Sequence, residues 1–127
     1  MAYLGLGEVF VVIFFGPVAT LGTYYVQALA FSKEVFIAGL APGLISTALI
    51  AVNNLRDIPT DIKARKRTLA VRFGYRFARI EYTLCILGGL FIPLFLVLML
   101  ENHWFSLIAC FAVIPAFFPI RDVVSGI

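Results

Sequence analysis

Four long apolar runs dominate the chain, and few polar residues separate them. The runs cover 9–31, 35–52, 82–100 and 104–120. Each is close to the roughly 20 residues that cross the hydrocarbon core of a membrane as a helix. Only helices and closed barrels satisfy the backbone in lipid, and none of the runs alternates with the two-residue period of a barrel strand. The pattern therefore predicts an all-α membrane protein, in which a single domain over 1–127 forms a bundle of four transmembrane helices.

Composition narrows the possible functions. The 127 residues are 62% hydrophobic and only 13% charged, whereas about a quarter of the residues in an average soluble domain are charged. Four spans leave no room for a soluble catalytic domain, so any chemistry must take place at the membrane. Cys85 and Cys110 lie inside apolar runs and are interpreted as small hydrophobic residues. His103 has no potential metal ligand of the His or Cys type beside it.

The basic residues are clustered between the second and third runs. Eight of the ten Lys and Arg residues fall between positions 56 and 79. Because apolar spans flank this cluster on both sides, it indicates a cytoplasmic loop over 53–79 and argues against nucleic-acid binding. Within the loop, the spacing of Arg72, Arg76 and Arg79 predicts one face of an amphipathic helix that touches anionic lipid at the inner surface.

Candidate chemistry begins where the second run ends. Asn53, Asp57 and Asp61 are spaced four residues apart, so on a helix they share one face. Two neighbouring carboxylates repel each other unless a cation lies between them. Mg²⁺ suits this arrangement, because it takes one or two carboxylates and completes its shell with water and substrate phosphate oxygens. The carbonyl of Asn53 adds a neutral ligand, and the pattern predicts a Mg²⁺ site.

Basic residues follow the two aspartates at once. Lys63, Arg65, Lys66 and Arg67 offer the point charges and guanidinium forks that suit a diphosphate group. The competing interpretation is a solvated span end, followed by charges that only fix the membrane topology.

Two details affect the geometry of the aspartate face. Pro59 predicts a broken or kinked helix end between the aspartates, and Arg56 is expected to point away from the aspartate face wherever the helix persists.

The stretch from Asn53 to Gly74, N-N-L-R-D-I-P-T-D-I-K-A-R-K-R-T-L-A-V-R-F-G, resembles the second aspartate-rich motif of the UbiA superfamily of intramembrane aromatic prenyltransferases. Its wording is most similar to the branch that acts on 1,4-dihydroxy-2-naphthoate in menaquinone synthesis. G-L-G-E at 5–8, F-F-G-P at 14–17 and G-T-Y-Y-V-Q at 22–27 are similar to the same enzymes around their fifth span. Arg65 departs from the family, which commonly has glycine there.

The resemblance implies a nine-helix fold of which this chain is a C-terminal fragment, inactive alone and partnered by an N-terminal half that carries the first aspartate motif. It also implies a bacterial plasma membrane, with the motif on the cytoplasmic side. The implied substrates are polyprenyl diphosphate and 1,4-dihydroxy-2-naphthoate, with Mg²⁺ as cofactor. Asp57 and Asp61 are the implied catalytic residues, and together with Asn53 they hold the metal. The implied diphosphate ligands are Lys63, Lys66 and Arg67.

Two alternative functions stay open from the sequence. One is another UbiA-type enzyme with 4-hydroxybenzoate or homogentisate as acceptor, and the other is a non-catalytic membrane bundle or part of a transporter. Glu8 is expected either to border the aromatic pocket or to lie at the membrane interface. Tyr24, Tyr25 and Gln27 are expected to serve in packing or in a tunnel for the prenyl tail.

Overall fold

The computed structural model describes residues 6–100, 108, 111 and 113–126, and these residues form four helical elements and no strand. Helix α1 spans Gly7–Ala28, with one π-helical turn at Phe14–Val18. Helices α2, α3 and α4 span Lys33–Lys63, Leu69–Leu100 and Val113–Ser125. The prediction of an all-α protein is confirmed.

Three of these helices are long and apolar enough to cross a membrane, namely α1, α2 and the part of α3 at Leu69–Met99. The predicted fourth span, 104–120, begins outside the described residues, and α4 covers only its last part. His103 and Cys110 also lie outside them. Cys85 is half-buried and packs against the cluster of Ala48, Ala51 and Tyr82, as its interpretation as a small hydrophobic residue expects.

Helices α2 and α3 extend well beyond the second and third predicted spans. Of the segment 53–79, only 64–68 is not helical. Helix α2 continues through Pro59 to Lys63, so the predicted break between the aspartates does not occur. The physical reason is packing across to α3, because Ile58 is buried in one cluster with Ala70 and Ala78. Tertiary contacts of this kind contribute most of the stability of a helix in a protein and outweigh one missing backbone donor.

The end of α2 is a Schellman turn. The backbone N–H of Lys66 donates to the carbonyl of Asp61 at 2.9 Å, and that of Arg65 donates to the carbonyl of Ile62 at 3.1 Å. This pair of hydrogen bonds is typical of a helix whose first residue after the C-cap has a left-handed backbone. That residue is Arg65, and its φ is 56°. Thr68 then starts α3, because its hydroxyl accepts a hydrogen bond from the backbone N–H of Val71 at 3.3 Å.

Replacing Arg65 with glycine is expected to raise the free energy of unfolding by about 1 kcal/mol, because a left-handed backbone strains a residue that carries a Cβ. Chemical denaturation in detergent measures the change. Ala64→Gly is the matched control, since Ala64 has φ of −81° and gains nothing from glycine. An equal or larger gain from Ala64→Gly would contradict the assignment of the strain to Arg65.

Gly74 interrupts α3 one turn after its start. Its φ of 81° and ψ of −178° fall in a region that is essentially restricted to glycine. The helix axis changes direction there, so Arg72 lies before the break and Arg76 and Arg79 lie after it. The three arginines, which the spacing placed on one amphipathic face, therefore belong to two helical segments.

Glycines allow α1 and α2 to cross at close range. A Cβ on Gly16 would lie 2.8 Å from the carbonyl oxygen of Gly39, and a Cβ on Gly43 would lie 2.6 Å from that of Val12. Gly39 and Gly43 have the small-xxx-small spacing of packed membrane helices. On its other side α2 packs against α3 through Ala48, Ala51 and their cluster partner Tyr82.

Candidate functional site

The three candidate metal ligands lie along the last three turns of α2. Because the helix is continuous from Lys33 to Lys63, Asn53, Asp57 and Asp61 share the face that their spacing predicts. Their exposure decreases along the helix. Asn53 is exposed, the side chain of Asp57 is 41% exposed and that of Asp61 is 7% exposed. The face therefore runs from solvent into the junction of α2 with α3.

The buried carboxylate has a cationic partner. Lys66 Nζ lies 3.1 Å from Asp61 Oδ1. The Schellman turn makes this contact possible, since it reverses the chain and returns Lys66 to the residue that ends the acidic face. The Lys66 side chain is still 43% exposed, so its ammonium group neutralises Asp61 while facing the open side of the turn.

The second carboxylate is held by its neighbour in sequence. Arg56 Nε donates to Asp57 Oδ1 at 2.8 Å, and Arg56 Nη2 donates to Asp57 Oδ2 at 3.1 Å. The expectation that Arg56 points away from the aspartate face is wrong, although the helix persists. A long arginine side chain reaches around the helix to form a bidentate pair, which is the geometry that guanidinium and carboxylate favour.

The two other predicted diphosphate ligands lie on the surface beside the turn. Lys63 is the last residue of α2 and Arg67 immediately precedes Thr68, and both side chains are exposed. Neither forms an ion pair with any residue that the structure describes. The structure thus brings Lys66 to the acidic face and leaves Lys63 and Arg67 available near it.

The chemistry of this donor set fits Mg²⁺. Across the described ranges no three His, Cys, Asp or Glu side chains converge as a complete metal cage. Mg²⁺ does not require such a cage, because it is commonly held by one or two carboxylates plus substrate phosphates and water. Asp57 and Asp61 carry the carboxylates that such a site would use, and Asn53 carries an amide oxygen. Both carboxylates already carry a cationic neighbour, so a metal ion would share or displace the contacts of Arg56 and Lys66.

A buried Glu–Asn pair next to this face is not apparent from the sequence. Glu8 of α1 is only 4% exposed, and its carboxylate accepts a hydrogen bond from Asn54 Nδ2 on α2. Asn54 directly follows Asn53, so the bond ties α1 to the start of the acidic face. This burial tests neither expectation for Glu8, the aromatic pocket or the membrane interface, and both stay predictions.

A cavity of about 560 Å³ lies between α1 and α2, at the end distant from the acidic face. Tyr24 and Gln27 line it together with Phe15 and Pro42. Tyr25 does not line it, and its ring stacks instead on Phe31 with 4.8 Å between the centroids. The two adjacent tyrosines therefore have different surroundings. Tyr24 lines the cavity, and Tyr25 stacks on Phe31.

Comparison with known proteins decides the family. Residues 1–125 match the model of the UbiA prenyltransferase family. The chain belongs to this family. The match confirms the resemblance that the segment 53–74 indicated, and it extends over nearly the whole length of this UbiA family member. No solved structure matches it.

Three relatives of this UbiA family member carry a naphthoate or a naphthoquinone in their names. It is 43% identical, over 98% of its length, to the 1,4-dihydroxy-2-naphthoate octaprenyltransferase of Mycobacterium tuberculosis, and it covers 42% of that protein. It is 38% identical to the enzyme of the same name from Escherichia coli, with 84% and 36% of the two chains covered. It is 28% identical to the 2-carboxy-1,4-naphthoquinone phytyltransferase of Synechocystis, with 85% and 35% covered. The chain thus spans less than half the length of each relative.

Proposed function

We propose that this chain contributes the second aspartate-rich motif to an enzyme that transfers a polyprenyl group from its diphosphate to 1,4-dihydroxy-2-naphthoate, in the synthesis of menaquinone. The observation that carries the proposal is the face of α2 on which Asp57 and Asp61 lie, with Lys66 on the buried carboxylate at 3.1 Å. The names of the relatives, two of which specify octaprenyl transfer to 1,4-dihydroxy-2-naphthoate, support the same reaction and acceptor.

The proposed reaction begins when the carbon–oxygen bond between the prenyl group and its diphosphate breaks, leaving an allylic carbocation and a diphosphate anion. Bound Mg²⁺ supplies positive charge that stabilises the leaving diphosphate. In this proposal Asp57, Asp61 and Asn53 would hold the ion. Lys66 donates to diphosphate oxygens from its position over Asp61, and the exposed Lys63 and Arg67 donate from the rim. Such preorganised charges act strongly where little water is present.

The apolar bundle has two further tasks in the proposed reaction. It must accept the prenyl tail, and it must keep water from the carbocation until the aromatic ring attacks. That attack forms a carbon–carbon bond, and the acceptor's carboxylate leaves as CO₂. The cavity of about 560 Å³ between α1 and α2, which Tyr24 and Gln27 line, offers an apolar compartment for part of such a tail. Its distance from the acidic face along the helices suits a substrate whose charged end and apolar end are far apart.

The location of the enzyme is part of the proposal. The cluster of eight basic residues between 56 and 79 supports a position of the acidic face on the cytoplasmic side, and we propose that the membrane is a bacterial plasma membrane. The chain spans 42% of the relative from Mycobacterium tuberculosis, and we assign the first aspartate motif to an N-terminal half of a nine-helix enzyme. One motif cannot hold the complete metal and diphosphate group, so the chain by itself is expected to be inactive.

The deciding experiment offers three acceptors to the complete gene product in lipid nanodiscs. With a polyprenyl diphosphate, we expect a prenylated product from 1,4-dihydroxy-2-naphthoate, measured by mass spectrometry, that EDTA abolishes and added Mg²⁺ restores. Product from only 4-hydroxybenzoate or homogentisate would overturn the acceptor assignment. No product from any acceptor would favour the non-catalytic bundle or transporter part.

A further inference from the structure

A cavity of about 420 Å³ opens beside α3 and α4, after the break at Gly74. Arg76 and Arg79 line it, and most of its remaining wall is apolar, from Ile80, Leu84 and Val124. The hydroxyl of Thr83 also faces it but is already used, since it donates to the carbonyl oxygen of Arg79 at 2.9 Å. Two guanidinium groups are therefore the charged features of an otherwise hydrophobic cavity.

One nitrogen of the Arg79 side chain is buried without a partner. Its Nε has no hydrogen-bond partner among the residues that the structure describes. Its guanidinium group lies against the backbone that follows α4, because a Cβ built on Gly126 would be 2.7 Å from Arg79 Nη2. Neither Arg76 nor Arg79 forms an ion pair within the part of the chain that the structure describes. A buried donor without a partner is costly, so the position favours an acceptor supplied from outside the chain.

This cavity is distinct from the acidic face. None of the proposed metal and diphosphate ligands lines it. Arg79 also reaches a smaller cavity of about 250 Å³, which Arg56 and Tyr75 border, and the proposed ligands do not line that cavity either. An anion bound by Arg76 and Arg79 would therefore leave Asp57 and Asp61 free for a separate ligand.

We propose that Arg76 and Arg79 form a binding site for an anionic membrane phospholipid. The phosphate of the headgroup would accept hydrogen bonds from both guanidinium groups, which bind phosphate oxygens in a forked geometry. The first carbons of the acyl chains would lie along Ile80, Leu84 and Val124. Position supports this occupant, because the predicted third span begins at residue 82 and the two arginines stand just before it. Basic pockets between membrane helices commonly bind anionic headgroups at this depth.

The test measures lipid binding by the complete gene product with native mass spectrometry, using phosphatidylglycerol and phosphatidylcholine of equal chain length. We expect a preference for phosphatidylglycerol to which each arginine contributes about fivefold. Arg76→Gln and Arg79→Gln should each reduce this preference. Arg72→Gln is the matched control, since Arg72 is exposed and lies before the break at Gly74. Arg79→Lys keeps the charge but loses the forked geometry, so it should retain only part of the preference, and it serves as the test if Arg79→Gln fails to fold.

Three results would overturn the proposal. The first is equal binding of the two lipids by the unaltered protein. The second is a loss in Arg72→Gln as large as in Arg79→Gln, which would indicate only a general surface charge. The third is displacement of phosphatidylglycerol by farnesyl diphosphate in the unaltered protein but not in Arg79→Gln, which would assign the cavity to a prenyl diphosphate. Because binding is measured without turnover, the outcome is independent of the proposed prenyl transfer.

Discussion

Asp61→Asn in the complete gene product is expected to lower kcat/KM for prenyl transfer by about 10²–10³-fold, the usual effect of removing one preorganised electrostatic group. Asparagine keeps the size of the side chain but removes the negative charge that attracts both Mg²⁺ and Lys66. Asp57→Asn is expected to have a similar effect, because Asp57 is the other carboxylate on the same face of α2. Steady-state assays over a range of Mg²⁺ concentrations measure both changes.

The control for this prediction is Asp122→Asn, the same substitution at an exposed position on α4. It should leave kcat/KM unchanged. Thermal unfolding of all three variants separates loss of catalysis from loss of structure. Lys66 is 43% exposed and can turn its ammonium group to water when Asp61 is neutral, so we expect little change in stability. Unchanged Mg²⁺-dependent turnover in both aspartate variants would refute the assigned metal role.

Gly43→Ala is expected to lower the free energy of unfolding by about 1–3 kcal/mol, the usual cost of adding volume to a well-packed contact. The new Cβ would lie 2.6 Å from the carbonyl oxygen of Val12 and 2.9 Å from the Cα of Gly16. Both are backbone atoms, so relief requires α1 and α2 to move apart. Unfolding in mixed micelles with increasing denaturing detergent measures the loss.

Gly22→Ala provides the control for the glycine prediction. Gly22 is also inside a membrane helix, but a Cβ there would meet nothing within 4 Å. Alanine should therefore be neutral or slightly stabilising at this position, because it is the better helix former. If the two alanine variants unfold at the same detergent concentration, the close approach of α1 and α2 is not a source of stability.

The features predicted correctly from the sequence are those that depend on residues close together in the chain. Apolar runs gave the helices, because lipid leaves the backbone few alternatives. The four-residue spacing of Asn53, Asp57 and Asp61 gave their common face. The course of the chain through Pro59 depended instead on Ile58 packing against Ala70 and Ala78. Such a contact between two helices leaves no periodic signal in either one alone.

Two other features of the site were beyond sequence reasoning for different reasons. Glu8 and Asn54 form a hydrogen bond across 46 positions. A buried glutamate at the start of an apolar helix needs a hydrogen-bond donor, but the residues near Glu8 in the sequence do not identify which donor it is. The Arg56–Asp57 pair was missed because face arguments treat side chains as short, whereas arginine reaches far enough to bond a neighbour on another face.

The turn at 64–68 has a consequence for the order of assembly. Asp61 and Lys66 are five residues apart, and α2 and α3 form an antiparallel helical hairpin around them. Contacts between residues so near in sequence form early, because little chain entropy is lost in closing a short loop. The acidic face and its first cationic partner thus arise within a single inserting hairpin. Helices that pack against this hairpin later would then contact an acidic face that has already formed.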